Sequence, residues 1–300
     1  MKETDMSKRI LITGATSGIG LETARMLLSR GHEVLLHGRS ASKLASAKQS
    51  LNIQLTGTEL KTYAADLSRL SEVESLAAAV SEQHGVIDIL INNAGVFTVS
   101  SPVTEDGLDV RFMVNTIAPW LLTQRLLPTL NRNGRVINLS SAAQAPVDLG
   151  ALAGTPRLDD SQAYAQSKLA LTMWSRHLAL ELGNDGPAII AVNPGSFLGS
   201  KMVKEAYGAD GKDLAIGARI LTRAALGEEF ANATGMYFDN DSERFAPPIW
   251  MALMPANARK SSRRLNQYCR QLLTTRRPVS LNKVRSSRTV AHMRAAPIPF

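Results

Sequence analysis

Three hundred residues, 44% of them hydrophobic, suffice for one large α/β domain or two small ones, and no apolar run approaches the roughly 18–20 residues of a membrane span. The single cysteine, Cys269, excludes an internal disulfide framework and a cysteine-based zinc site, and the five histidines show no paired spacing that would suggest metal ligands. The net charge of +8 belongs to the end of the chain: residues 256–300 carry 11 Lys/Arg and no Asp or Glu, which leaves the first 255 residues at −3, with no basic body to bind nucleic acid.

The opening MKETDMSKRI mixes acids and lysines with no apolar segment, unlike a secretory signal, so a cytoplasmic protein is expected. Six short apolar runs follow in RILIT, EVLLHG, ELKTYA, IDILIN, RVINLS and AIIAVN. Between them lie amphipathic stretches that predict helices near 18–30, 41–51, 71–84, 105–131, 161–183 and 212–227. Strands apolar on both faces, alternating with helices, predict an α/β fold: one doubly wound parallel sheet of Rossmann type, forming a single domain over residues 1–246.

The first strand runs into Thr13-Gly14-Ala15-Thr16-Ser17-Gly18-Ile19-Gly20, which opens a helix. Glycines there let the backbone turn tightly and approach a pyrophosphate, and the first N–H groups of the helix face its charge, so Gly14, Ser17, Gly18, Ile19 and Gly20 are read as a dinucleotide site. About 20 residues beyond such a loop an acid takes the ribose hydroxyls of NAD, whereas an arginine accommodates the 2′-phosphate of NADP. Here Arg39 ends the second strand, and no acid occurs between Val34 and Thr58. NADP is therefore the expected cofactor, with NAD as the alternative.

Tyr164 and Lys168 stand four apart in a helical pattern, on one face, and can act on one ligand. A free phenol has a pKa of about 10, too high for easy proton exchange at neutral pH, and a nearby ammonium favours the phenolate. Such a tyrosine can donate to a carbonyl or accept from an alcohol.

Past Pro247 the rhythm stops, and residues 247–300 become rich in Arg, Ser, Pro and Gln without an apolar stripe. The composition predicts an irregular, solvated tail. A basic arm for nucleic acid or an anionic surface is the sharper alternative. A third follows from codon degeneracy: SSRRLNQYCRQ can be encoded in one frame by codons that read VVAAIESVLSA in another, so the tail could be a frameshift product.

Thr13–Gly20, Asp66-Leu67, Asn92-Asn93-Ala94-Gly95, Asn115, Ser140-Ser141, Tyr164-Ala165-Gln166-Ser167-Lys168 and Asn193-Pro194-Gly195 occur in this order, and over residues 8 to about 240 the chain resembles the short-chain dehydrogenase/reductase family. The resemblance implies a hydride-transferring oxidoreductase in which Tyr164 exchanges the proton, Lys168 holds the nicotinamide ribose, Ser141 orients the substrate oxygen and Asn115 holds a relay water. It implies that Asp66 binds the adenine through its carboxylate, that Asn92 lies beside the adenosine ribose, that Leu67, Ala94 and Gly95 belong to the cofactor site, with Asn93 and Gly95 structural, and that Pro194 and Gly195 bend the chain over the nicotinamide, with a mobile substrate lid beginning at Ser196 to Met202. Two departures stand out. Ser196-Phe197-Leu198-Gly199-Ser200 lacks the threonine common after this Pro-Gly, and Ser141 and Tyr164 lie 23 positions apart, with Ala145–Gln162 inserted between them. Similar insertions, and a segment like Thr234–Phe238, occur in retinol-dehydrogenase-like members, which implies a loop along the substrate cleft, a lipophilic alcohol or carbonyl substrate, and a homo-oligomer. The competing class is a cofactor-binding regulator without catalysis, against which the intact Ser141, Tyr164 and Lys168 argue.

Overall fold

The alternation of apolar residues within each strand decides which face of the sheet each one joins. Leu11, Leu35, Leu90, Val136 and Ile189 fall in one core cluster, and Ile10, Ile12, Leu36, Ile89, Ile91, Ile137 and Ile190 in the other. Successive side chains of a strand point to opposite faces, so a strand of parallel sheet is apolar throughout only if helices cover both sides.

The computed structural model describes residues 7–52, 60–246, Gln267, Tyr268, Arg270 and Gln271. Its sheet has the order β3-β2-β1-β4-β5-β6-β7-β8, from β1 (Arg9–Ile12), β2 (Glu33–Gly38), β3 (Lys61–Ala64), β4 (Ile87–Asn92), β5 (Leu130–Leu139), β6 (Ala188–Asn193), β7 (Tyr237–Asp239) and β8 (Arg244–Ala246). The first seven strands pair in parallel and β8 returns antiparallel along β7. The chain order reverses beside β1, and ligands bind at such a switch point, beyond the carboxyl ends of the strands. Helices α1 (Gly18–Leu28), α2 (Ala41–Asn52) and α3 (Leu70–Gln83) follow the first three strands as the sequence predicts.

The helix predicted over 105–131 is shorter and broken. Gly107 (φ +77°) makes a turn, Asp109 caps the Arg111 N–H, and α4 (Val110–Phe112) passes through a π-helical turn, Met113–Ile117, into α5 (Ala118–Leu126). Pro119 supplies the reason for the π turn: it has no N–H for the Asn115 carbonyl four residues back. Pro128 then ends the helix, and the next strand begins five residues earlier than Arg135, the start that the apolar run suggests.

The insertion also departs from expectation. It is not wholly a loop: it forms α6 (Leu149–Leu152), capped by Asp148, with Ala151 and Leu152 buried in the main core. Helix α7 (Asp160–Leu182) follows, capped by Asp159. Arg111, 1% exposed, donates to both oxygens of Asp109 (2.9 and 2.6 Å) and to Asp160, tying the start of α4 to the turn that precedes Tyr164. Removing one member would leave a buried charge uncompensated.

After β6 come α8 (Lys201–Tyr207) and α9 (Leu214–Leu226), and α9 packs on α1. The strands at Tyr237 and Arg244 were not legible in the sequence, because three residues carry no readable period. The expectations of an irregular tail, a basic arm or a frameshift product concern residues 247–300, nearly all outside the described residues. Within it, Arg270 pairs with Glu181 of α7 at 3.1 Å and Tyr268 packs against the core. Among the described residues no helix is long and apolar enough to cross a membrane.

Candidate active site

The turn after β1 is built from glycines for reasons the packing makes explicit. Gly14 lies at φ +67° and Gly18 at φ +60°, where side chains are disfavoured. A Cβ on Gly14 would come 2.9 Å from the Ala94 Cα, and one on Gly20 would come 2.5 Å from the Gly14 carbonyl. The turn is stapled in place: Asn93 Nδ2 donates to the carbonyls of Thr13 (2.8 Å) and Gly14 (3.1 Å), while Thr13 Oγ1 accepts from the N–H groups of Asn93 and Ala94. Helix α1 then starts at Gly18, and Ser17 makes no side-chain capping bond to its first N–H groups. A glycine cradle that leaves no room for a Cβ at Gly14 or Gly20 and ends in helix N–H groups without a side-chain cap fits a dinucleotide pyrophosphate.

One residue that sequence reasoning left without a role completes the turn. His37, 2% exposed, accepts the Gly14 N–H on Nδ1 (3.3 Å) and donates from Nε2 to the Ala65 carbonyl (3.0 Å). Burial lowers its pKa to about 4, against the raising effects of that carbonyl and of Asp66, so the ring is neutral at physiological pH and keeps the acceptor that the glycine turn needs.

A cavity of about 430 Å³ opens from this turn across the ends of the strands. Of the expected cofactor residues, Gly14, Ser17, Gly18, Ile19 and Gly20 line one end, with Arg39, Asp66 and Leu67 at the mouth. Ala94, Gly95 and Pro194 line its middle and far side, together with Tyr164 and Lys168. Lys43, four residues beyond Arg39 and one turn into α2, joins Arg39 at the mouth. That spacing was available in the sequence, and it places two cations rather than one at the cavity.

Four expected residues, Asn92, Gly195, Asn115 and Ser141, do not line the cavity. Asn92 is 2% exposed and its Nδ2 donates to Asn138 Oδ1 (2.8 Å) and Thr123 Oγ1 (3.2 Å), inside the layer between sheet and helices. Its side chain therefore faces the core rather than a ribose: the pleat that sends Asn93 to the glycine turn sends Asn92 the other way. Gly195 stands behind Pro194, at φ +117°. Asn115 is 1% exposed, with Oδ1 accepting the Val96 N–H (2.8 Å) and Nδ2 donating to the Val96 carbonyl and Ser167 Oγ (3.0 Å each). A Cβ on Gly95 would meet Asn115 Oδ1 and Lys168 Nζ at 3.4 Å each, so the bare glycine leaves a gap between those two groups.

Around Tyr164 the chemistry-bearing groups converge. Lys168, 3% exposed, donates to the Leu139 carbonyl at 2.7 Å and lies 5.7 Å from the centre of the Tyr164 ring. Burial lowers its pKa to about 8. Phe97 packs against the Tyr164 ring with centroids 4.7 Å apart. The two serines after β5 separate cleanly. Ser140, whose backbone borders the cavity, is buried with its hydroxyl on Thr172 (2.7 Å) and the Lys168 carbonyl. Ser141 is half-buried, holds only the Ala143 N–H on its hydroxyl, and has its carbonyl fixed by Tyr237 Oη (3.1 Å) and Gln144 (2.9 Å).

The segment expected to form a lid is more structured than the sequence suggests. Leu198 bridges to Lys212, and Ser200, which caps α8, lines the cavity with Lys201, Met202 and Glu205. No residue of 145–162 lines it.

The short chain dehydrogenase family model matches residues 8–210. Retinol dehydrogenase 13 of Homo sapiens is 31% identical over 266 residues, covering 82% of this chain and 80% of that protein. Retinol dehydrogenase 12 of Mus musculus is 32% identical over 278 residues, covering 88% and 86%. Among solved structures, the landomycin C-6 ketoreductase LanV with bound NADP and rabelomycin matches with a TM-score of 0.59 at 29% identity, covering 78% of this chain and 94% of that one.

Proposed function

Because the chain belongs to the short-chain dehydrogenase family, in its retinol-dehydrogenase-like branch, we propose that it is an NADP(H)-dependent oxidoreductase that interconverts a carbonyl and an alcohol, with Tyr164 exchanging the proton. The observation that carries this reading is the buried Lys168 ammonium beside the Tyr164 ring, in a cavity continuous with the glycine turn. The bound dinucleotide supplies or accepts the hydride.

The residues would divide the rest of the work as follows. Gly14–Gly20 hold the pyrophosphate against the start of α1, and Arg39 and Lys43 face the 2′-phosphate, for which the NADP-bound neighbour offers independent support. Asp66 and Leu67 border the adenine, with Asp66 Oδ1 fixed by the Ser68 N–H (2.9 Å) and hydroxyl (2.8 Å). Lys168 has one hydrogen on Leu139, and its other two serve the nicotinamide ribose. In reduction, Ser141 Oγ donates to the carbonyl oxygen while Tyr164 Oη gives it a proton; in oxidation, the same tyrosine takes the proton of the alcohol. Lys168 stabilises the phenolate left behind. Asn115 is the candidate for the relay residue, supported by the gap it shares with Lys168 at Gly95 and by Pro119, which denies its carbonyl an α-helical partner.

Phe97, Val96 and Met202 give the substrate side an apolar wall, which favours lipophilic aldehydes or ketones. A homo-oligomer in the cytoplasm completes the proposal, and α7, whose Leu180 is 70% exposed, offers one apolar contact for it. The test is a parallel fluorescence titration with NADPH and NADH, followed by NADPH oxidation assays with all-trans-retinal and a series of aliphatic and aromatic ketones. Tighter NADPH binding and turnover of at least one carbonyl are expected. A folded protein that binds neither nucleotide would sink the reading, and tighter NADH binding would overturn the role of Arg39 and Lys43 alone.

A further inference from the structure

The bend after β6 is fastened from outside itself, by the turn that joins β7 to β8. Asn193, 2% exposed at the end of β6, donates to Asp239 Oδ1 (2.8 Å) and Asp241 Oδ2 (2.9 Å) and accepts the Gly195 N–H (3.3 Å). Asn240 donates from its side chain to the Pro194 carbonyl (2.9 Å) and from its backbone to the Asn193 carbonyl (3.2 Å). Asp241 completes the clamp, since Oδ1 accepts the Ser196 N–H (2.9 Å) and Oδ2 the Ser196 hydroxyl (2.5 Å). Every residue from Asn193 to Ser196 is thus hydrogen-bonded, through backbone or side chain, and Gly195 turns between the fixed points at φ +117°.

The chemistry of the Asp241 contacts requires a carboxylate. Three donors converge on its two oxygens, two from Ser196 and one from Asn193. Burial raises the acid's pKa, but the Ser196 and Asn193 hydrogen bonds and the Lys212 charge outweigh it and hold the group below the usual range, so it is ionised at neutral pH. An asparagine in its place has the same shape but turns an NH₂ toward at least one of those donors.

What the clamp holds lies at the site. Pro194 lines the cavity opposite the glycine turn, and the lid residues Ser200 and Met202 follow within a few positions. We propose that Asp241 is a positioning residue: through Ser196 and Asn193 it locks the Pro194–Ser196 bend against the nicotinamide end of the cavity, so that the C-terminal hairpin rather than the loop sets how closely that end of the cofactor is held. The proposal rests on the reading of Pro194–Gly195 as the nicotinamide-facing bend.

The test compares the full-length wild type with Asp241→Asn and Ser196→Ala, using NADPH and 2′-phospho-ADP-ribose, which lacks the nicotinamide half, as probes. Asp241→Asn is expected to weaken NADPH about tenfold while leaving 2′-phospho-ADP-ribose within about twofold, with Ser196→Ala acting in the same direction but less. Amide hydrogen exchange of the nucleotide-free proteins should be about tenfold faster over 194–198 in Asp241→Asn and unchanged over 13–20. Equal weakening of both probes, or unchanged exchange over 194–198, overturns the proposal. Should Asp241→Asn fail to fold, Ser196→Ala, which removes one hydroxyl donor, decides by the same split. A wild type that binds neither probe instead refutes the functional reading, and the exchange comparison still tests the lock.

Discussion

The two ends of the cavity are held by different means. At the glycine end the surface is backbone, and the residues around it, His37 and Asn93, fix its main-chain N–H and carbonyl groups. At the other end the backbone bend is passive, and side chains of a late hairpin, Asp241, Asn240 and Tyr237, hold it and the neighbouring Ser141. A surface made from backbone demands glycine wherever a Cβ collides, and that demand is visible as a motif. A surface held by distant side chains leaves no such mark.

Tyr164→Phe separates the two ends most sharply. Loss of the only proton-exchanging hydroxyl should lower turnover about a thousandfold, within the range of general acid–base contributions, while NADPH titration stays within about twofold of wild type. Retained turnover in steady-state assays would remove the tyrosine from the mechanism.

Gly20→Ala probes the opposite end. Its Cβ would meet the Gly14 carbonyl at 2.5 Å, and a backbone atom yields less readily than a side chain. The strain of about 1–3 kcal/mol corresponds to roughly ten- to a hundredfold weaker NADPH binding, provided the glycine turn rather than α1 as a whole absorbs it. Fluorescence titration measures the first, and an unchanged melting temperature confirms the second.

The pH dependence sharpens the comparison, because Lys168 stands beside Tyr164 and away from the glycine turn. Its pKa, lowered to about 8 by burial, leaves the ammonium in place at pH 7 and removes it as the pH rises through 8. Since kcat/KM reports the free enzyme, it should fall about tenfold per pH unit above 8. Unfolding takes up a proton between about pH 8 and the ordinary value of 10.5, so stability, to the extent Lys168 governs it, rises with pH through that window. A kcat/KM profile flat to pH 10 would show that the ammonium is not required. A smaller effect is expected at the cavity mouth, where Arg39 is exposed and shares the anion site with Lys43. Arg39→Ala should lower the NADPH-over-NADH binding ratio about fivefold, the Lys43→Ala variant less, and the double variant should show little preference.

The sheet, both of its core faces, the glycine turn and the Tyr164–Lys168 pair were legible because each follows from a period or a steric demand written locally. The π turn was only half legible: Pro119 stands in the sequence four residues after Asn115, but the widening follows only once the segment is known to be helical. The short helix in the insertion was not legible because the insertion read as a loop, whereas Ala151 and Leu152 found a place in the core. The inward direction of the Asn92 side chain was not legible because a motif does not say which way each member of a strand end faces. The β7–β8 hairpin escaped because two three-residue strands have no period, and its functional contacts span 45 to 96 positions.

The last prediction concerns that hairpin. Tyr237 is 5% exposed, and burial, with Asp239 and Asp241 nearby, raises its pKa, so it is a neutral donor at any working pH. Its hydroxyl fixes the Ser141 carbonyl at 3.1 Å, but Gln144 Nε2 reaches the same oxygen at 2.9 Å. Tyr237→Phe keeps the ring in the core and removes one of two donors, so the carbonyl is not orphaned. The cost is then the net value of a hydrogen bond, about 0.5–1.5 kcal/mol, rather than that of a buried unsatisfied group. If that bond also aims the Ser141 hydroxyl, kcat should fall about two- to fivefold with NADPH affinity unchanged, because the role proposed for Ser141 is on the substrate oxygen and not at the glycine end. A variant that loses stability in a denaturant titration but keeps its kcat would show that Gln144 alone holds Ser141 in line. The hairpin's catalytic influence would then run entirely through Asp241 and the bend after β6.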